Sequence, residues 1–130
     1  MATLLVADDD DNARLLVRTL LSHAGHTVLE AKTGIEALAC AANGHPDLIL
    51  LDLSMPAMSG AEFVRALRAD ARTKAIAVAL YTATPSNAAL RDFMEIYGIA
   101  DVIPKPSEPV ELIAAVERAL EAAGGGPSRR

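Results

Sequence analysis

Aromatic side chains are scarce: the chain has no tryptophan and only Phe63, Tyr81, Phe93 and Tyr97. A core in 130 residues must then be built from Leu, Ile, Val and Ala, which suits a sheet covered by helices. Cysteine is scarcer still. The single Cys40 excludes an intramolecular disulfide and fits a reducing compartment. No apolar run approaches the roughly twenty residues that cross a bilayer. The amino terminus, Met1-Ala2-Thr3 before a short apolar run, lacks the basic region and cleavage pattern of a secretory leader. These absences predict a cytoplasmic protein with no membrane contact. Basic residues are outnumbered, 12 against 17 acids, for a net charge of −5. No Lys/Arg cluster occupies a predicted helix face, so direct binding to nucleic acid, which needs a basic footprint, is not expected. A DNA-binding partner remains compatible with that balance.

What is present is alternation of short apolar runs with amphipathic stretches. Thr3–Ala7 (TLLVA) has strand length and composition. Residues 12–24 follow with Ala13, Leu16, Val17, Leu20 and Ala24 on one helical face and Arg14 and Arg18 on the other, and Gly25 marks the stop. Residues 26–30 read as a half-exposed strand. Thr33 and Glu36 form a capping-box pattern for a helix to about residue 42, stopped by Asn43-Gly44. Leu48–Leu51 (LILL) is a fully buried strand by composition. Ser59 and Glu62 cap the next helix, to about residue 69. A strand at 76–81, a helix at 86–97 with Pro85 at its first turn, a strand at 101–103 and a helix from about 107 to 123 complete the series. Five β/α units predict a parallel sheet with helices on both faces, doubly wound by right-handed crossovers.

In such sheets ligands bind beyond the carboxyl ends of the strands. Asp8, Asp9, Asp10 and Asp11 follow the first strand, Asp52 the third, Thr82 the fourth and Lys105 the fifth. With the first and third strands adjacent, three carboxylates, a hydroxyl and an ammonium converge on one edge. Clustered carboxylates repel unless a cation intervenes. An all-oxygen site without His or Cys suits a hard ion, Mg²⁺ or Mn²⁺, at about 2.1 Å, which keeps open positions for phosphate oxygens. Asp52 can then serve as nucleophile while Lys105 neutralises a transferring phosphoryl group. Asp10 and Asp11 are better read as capping the first helix than as ligands. A calcium loop starting at Asp8 fails because Ala13 stands where glycine is required and Thr19 where the bidentate Glu belongs. His23, His26 and His45 lack ligand spacing and read as surface or loop residues. Cys40 reads as a small helix residue, and Tyr81, Phe93, Ile96 and Tyr97 as packing residues, some of them on a partner face.

LLVADD with Asp8 and Asp9, LILLDLSMPAMSG with Asp52, Met55-Pro56 and Gly60, the Thr82-Ala83 pair and Lys105-Pro106 follow in order. Together they resemble the receiver domain of bacterial two-component response regulators over about residues 3–122. The resemblance implies a flavodoxin-like (βα)₅ fold with strand order 2-1-3-4-5. It implies a receiver over residues 1–123 and a flexible tail or linker stub over 124–130. Asp52 would accept the phosphoryl group. Asp9, Asp52 and the Ser54 carbonyl would bind Mg²⁺ directly, and Asp8 through water. Thr82 would be the switch hydroxyl, Lys105 the salt-bridge partner of the phosphoryl, and Pro106 would follow a cis peptide bond. Expected partners are a sensor histidine kinase or phosphotransfer protein, a downstream effector domain or protein, and a second copy in a phosphorylation-dependent homodimer. The changing face would comprise the fourth helix, fifth strand and fifth helix. The domain would catalyse only its own phosphorylation and dephosphorylation.

The chain departs from the family pattern at Val102, where many receivers carry an aromatic ring that swings inward, and at Ser107, where Phe is common. Ser54 and Thr84, two places beyond Asp52 and Thr82, carry no carboxylate or amide to orient a water molecule, so slow autodephosphorylation is expected. Three other readings fit less well. An aspartyl phosphatase lacks its second acid, since Ser54 holds that place, and the chain has no room for a cap domain. A flavin carrier would find four aspartates where FMN needs backbone donors. A docking module that is never phosphorylated has no need of Asp8, Asp9, Asp52, Thr82 and Lys105 together.

Overall fold

A computed structural model describes residues 2–53, 55, 58–83, 87–99 and 101–123. Among these residues strands and helices alternate: β1 (Thr3–Ala7), α1 (Asp11–His23), β2 (Thr27–Ala31), α2 (Gly34–Gly44), β3 (Leu48–Leu51), α3 (Gly60–Ala69), β4 (Ala77–Thr82), α4 (Ala88–Tyr97), β5 (Asp101–Pro104) and α5 (Pro109–Ala122). The strands are parallel in the order β2-β1-β3-β4-β5. This is the doubly wound, flavodoxin-like arrangement that the alternation and the resemblance predict.

Side-chain parity explains the two cores. Successive residues of a strand face opposite sides, so Leu5, Ala7, Ile49, Leu51 and Leu80 pack with Phe63, Val64 and Leu67 of α3 on one side. Leu4, Val6, Leu48, Leu50 and Ala79 pack with Val17 and Leu21 of α1 and Leu112 and Val116 of α5 on the other. All four residues of β3 are buried, because its neighbours β1 and β4 cover its edges and helices cover both faces. The outer strand β2 is partly exposed.

Several local expectations shift. In α1 the buried residues are Val17 and Leu21. Leu16 is 55% exposed and Ala24 is also exposed; consecutive apolar residues at 15–17 and 20–21 left the stripe's phase ambiguous. Asn43-Gly44 does not stop α2, which runs through Gly44 and ends on His45 in the left-handed region (φ 47°). Gly44 instead permits close packing, since a Cβ there would lie 2.6 Å from Leu29 Cδ1. At the start of α2 the cap is one-sided. Thr33 Oγ1 accepts the Glu36 N–H at 3.1 Å, while the Glu36 carboxylate accepts from Lys32 N–H. Ser59 and Glu62 form the full reciprocal box. Described α4 begins at Ala88, where Asn87 accepts the Leu90 N–H at 2.8 Å; Pro85 and Ser86 lie outside the described residues. The predicted tail, 124–130, does too.

Candidate functional site

The acids arrive at one edge because β1 and β3 are hydrogen-bonded neighbours that end level, Ala7 opposite Leu51. The ladder continues one step further: Asp52 N–H donates to the Ala7 carbonyl and Asp8 N–H to Ala31, each at 3.0 Å. Asp8 and Asp52 therefore leave their strands side by side. Both are buried, at 2% and 8% exposure, whereas Asp9 turns out to solvent. One carboxylate oxygen from each of the three falls within 4.8 Å of the others. Gly60 supports this geometry from α3. Its N–H donates to the Leu53 carbonyl at 3.3 Å, and a Cβ there would meet Leu53 Cα at 2.8 Å.

The balancing charge comes from Lys105. Its N–H donates to the Thr82 carbonyl at 3.1 Å, which extends the β4–β5 ladder beyond Thr82 and Pro104. Its ammonium donates to Asp8 Oδ2 at 2.6 Å and lies 3.5 Å from Asp52 Oδ2. Burial pulls this ammonium's pKa down, but the hydrogen bond and charge of Asp8, aided by Asp52, hold it above its ordinary value. The Tyr81 ring lies 5.5 Å from the same nitrogen. Burial raises the phenol's pKa against the opposing pull of Lys105. Both oxygens of Asp8 are engaged, since Oδ1 accepts the Asp10 N–H at 2.9 Å. Thr82 is buried at the end of β4, beside the Lys105 backbone.

Asp8, Asp9, Asp52 and Lys105 are thus brought together, and Thr82 adjoins Lys105 by register. Asp10 caps α1, accepting the N–H groups of Asn12 and Ala13. Ser54, Pro56 and Thr84 lie outside the described residues. Lys105-Pro106 is cis. Val102 is 39% exposed and lines, with Val110, Ala114, Ala115 and Arg118, a cleft between β5 and α5 that is separate from the acids.

Two contacts escaped the sequence. Arg14, read as part of the solvent face of α1, has a side chain only 14% exposed and donates to the Asp8 carbonyl at 2.8 Å. His26, read as a surface residue, is buried. Its Nδ1 accepts the Ala2 N–H at 3.1 Å and its Nε2 lies 2.9 Å from Glu117 of α5. The position of Arg14 six residues after Asp8, with Glu30 closing the adjacent strand, is the pattern that could have exposed the first.

The response regulator receiver domain family matches residues 4–117. The chain belongs to that family. The phosphate regulon transcriptional regulatory protein PhoB of Pseudomonas aeruginosa is 36% identical to this receiver over 126 residues, 97% of this chain and 55% of PhoB. Protein PilH of the same bacterium is 31% identical over 92% of this chain and 98% of its own length. The chemotaxis protein CheY4 of Vibrio cholerae matches the receiver's fold with a TM-score of 0.85 at 33% identity, covering 92% of this chain and 98% of that one. The receiver therefore spans about half the length of the transcriptional regulators it resembles, and nearly all of PilH.

Proposed function

We propose that this receiver accepts a phosphoryl group on Asp52 in a Mg²⁺-dependent step and thereby changes a partner-binding face. The observation that carries the reading is the meeting of three carboxylates within 4.8 Å beside an ammonium 2.6 and 3.5 Å from two of them. The donor set fits the metal: hard oxygens only, partly open to solvent, with no nitrogen or sulfur ligand. Asp9 and Asp52 would hold Mg²⁺ directly. Asp8, with both oxygens already engaged, would act through water. The Ser54 carbonyl enters on the resemblance alone, and Mn²⁺ could substitute. Bound there, the ion would supply charge neutralisation for incoming phosphate oxygens.

An Asp52 oxygen attacks phosphorus, the bond from phosphorus to the donor's imidazole nitrogen breaks, and an acyl phosphate forms. Lys105 stays protonated and faces the new charge. Thr82, adjoining Lys105 through the β4–β5 ladder, would be the hydroxyl that moves to the phosphoryl group. The region around α4, β5 and α5 would change with it, with exposed Val102 in place of a swinging ring. A sensor histidine kinase or phosphotransfer protein would be the donor. An effector protein, an attached domain or a second phosphorylated copy would read the state.

Incubation with Mg²⁺ and acetyl phosphate, followed by intact mass measurement, tests this. A gain of one phosphoryl group, lost in Asp52→Asn and lost with EDTA, is expected. No gain from acetyl phosphate or any kinase, or full gain in Asp52→Asn, would overturn it. With Ser54 and Thr84, which carry no carboxylate or amide, two places beyond Asp52 and Thr82 in the sequence, the phosphoryl group should outlast seconds.

A further inference from the structure

β1 ends at Ala7, and the next carbonyl, that of Asp8, lies outside the strand. The Ala7 carbonyl accepts from Asp52 N–H; the Asp8 carbonyl accepts from the Arg14 guanidinium, Nη1, at 2.8 Å. That carbonyl is part of the peptide joining Asp8 to Asp9. Two of the three clustered carboxylates hang from either side of this peptide, so its orientation sets where they point relative to each other.

Arg14 is itself held on its other nitrogens. Nη2 donates to Asp11 Oδ1 at 2.7 Å and Nε to Glu30 Oε1 at 3.1 Å. Glu30 is also ion-paired with Arg18, Nε to Oε2 at 2.9 Å. A rigid guanidinium fork anchored at two carboxylates presents its remaining edge to one peptide oxygen, a geometry lysine cannot reproduce.

We propose that Arg14 is a positioning residue for the metal site, clamping the Asp8–Asp9 peptide so that Asp9 and Asp52 converge on the ion. This rests on the metal reading of the site given above. A role confined to tying α1 to β2 makes a different prediction, and the sign separates them. Arg14 is a cation near a cation site, so its removal by charge alone would tighten Mg²⁺ binding. Loss of positioning would weaken it, as loss of supporting contacts behind metal ligands does by about 10-fold or more.

The test is calorimetric titration of the unphosphorylated protein with MgCl₂, with the Asp9 amide followed by NMR. Arg14→Gln should weaken Mg²⁺ binding about 10-fold and displace the Asp9 amide resonance before any metal is added. Arg18→Gln removes the same charge and frees the second oxygen of Glu30, but does not touch Asp8. It should bind Mg²⁺ as tightly as the wild type or slightly tighter. Arg14→Lys keeps the charge, but its compact ammonium cannot span acceptors spaced for three separate guanidinium nitrogens, and should fall between; it carries the test if Arg14→Gln does not fold. Undiminished Mg²⁺ affinity in both Arg14 variants, or equal losses in Arg14→Gln and Arg18→Gln, would overturn the positioning role alone. A wild type that binds no Mg²⁺ would overturn the metal reading and this role with it.

Discussion

Lys105 touches two of the three acids, and neutralising it should separate metal binding from phosphoryl transfer. In Lys105→Met the cation 2.6 Å from Asp8 and 3.5 Å from Asp52 is gone, so repulsion toward Mg²⁺ falls and affinity should rise. The same change removes a donor aimed at developing charge, which should slow phosphorylation at saturating Mg²⁺ by about 100-fold. Mg²⁺ titration and the initial rate with acetyl phosphate, measured on one preparation, give both numbers; a fall in both would show that Lys105 mainly holds Asp8 in place. At this scale the acids and Lys105 were legible because each directly follows an apolar run, and the end of a parallel strand is where ligands bind. Arg14 and His26 were not. Both are polar residues with contacts on other elements, Arg14 reaching to Glu30 and His26 to Glu117, and a pattern within one segment does not report what a neighbouring element brings to it.

Element boundaries show a different kind of ambiguity, in which one residue type serves two physical ends. Glycine can end a helix by adopting positive φ or let another side chain approach closely. Gly44 does the second, beneath Leu29, and the left-handed position falls one residue on, at His45 with φ 47° and ψ 59°. A left-handed residue with a Cβ costs about 1–2 kcal/mol, while glycine's freedom in the unfolded chain offsets about 0.4–1 kcal/mol of any relief. His45→Gly should therefore stabilise the domain by about 0.5–1 kcal/mol, seen as a higher urea midpoint at unchanged slope. An unchanged or lower midpoint would mean that the His45 side chain contributes contacts worth as much as its strain. Ser59, by contrast, was legible to the residue, because its hydroxyl caps the Glu62 N–H and the Glu62 carboxylate returns to the Ser59 N–H.

For the molecule as a whole, strand order was legible from resemblance and the layering from the β/α alternation, since a fully apolar β3 has to lie in the middle of a covered sheet. Site and fold are then energetically linked, because a ligand that binds only the assembled carboxylates stabilises the whole domain by mass action. Free Mg²⁺ at about 100 times its dissociation constant should add about 2.7 kcal/mol, read by calorimetry as a melting temperature that rises with MgCl₂ and returns with EDTA. Asp9→Ala should abolish the rise; a rise that persists in that variant would place the ion elsewhere. The strand order has a further consequence during synthesis. Asp8 and Lys105 are 97 residues apart, and β5 docks on β4 at the edge of the sheet. A ribosome-bound chain that has reached only β4 already carries every acid of the cluster and none of its lysine. On the proposed function, the clustered acids of such a chain would lack their balancing ammonium until β5 is translated and pairs with β4.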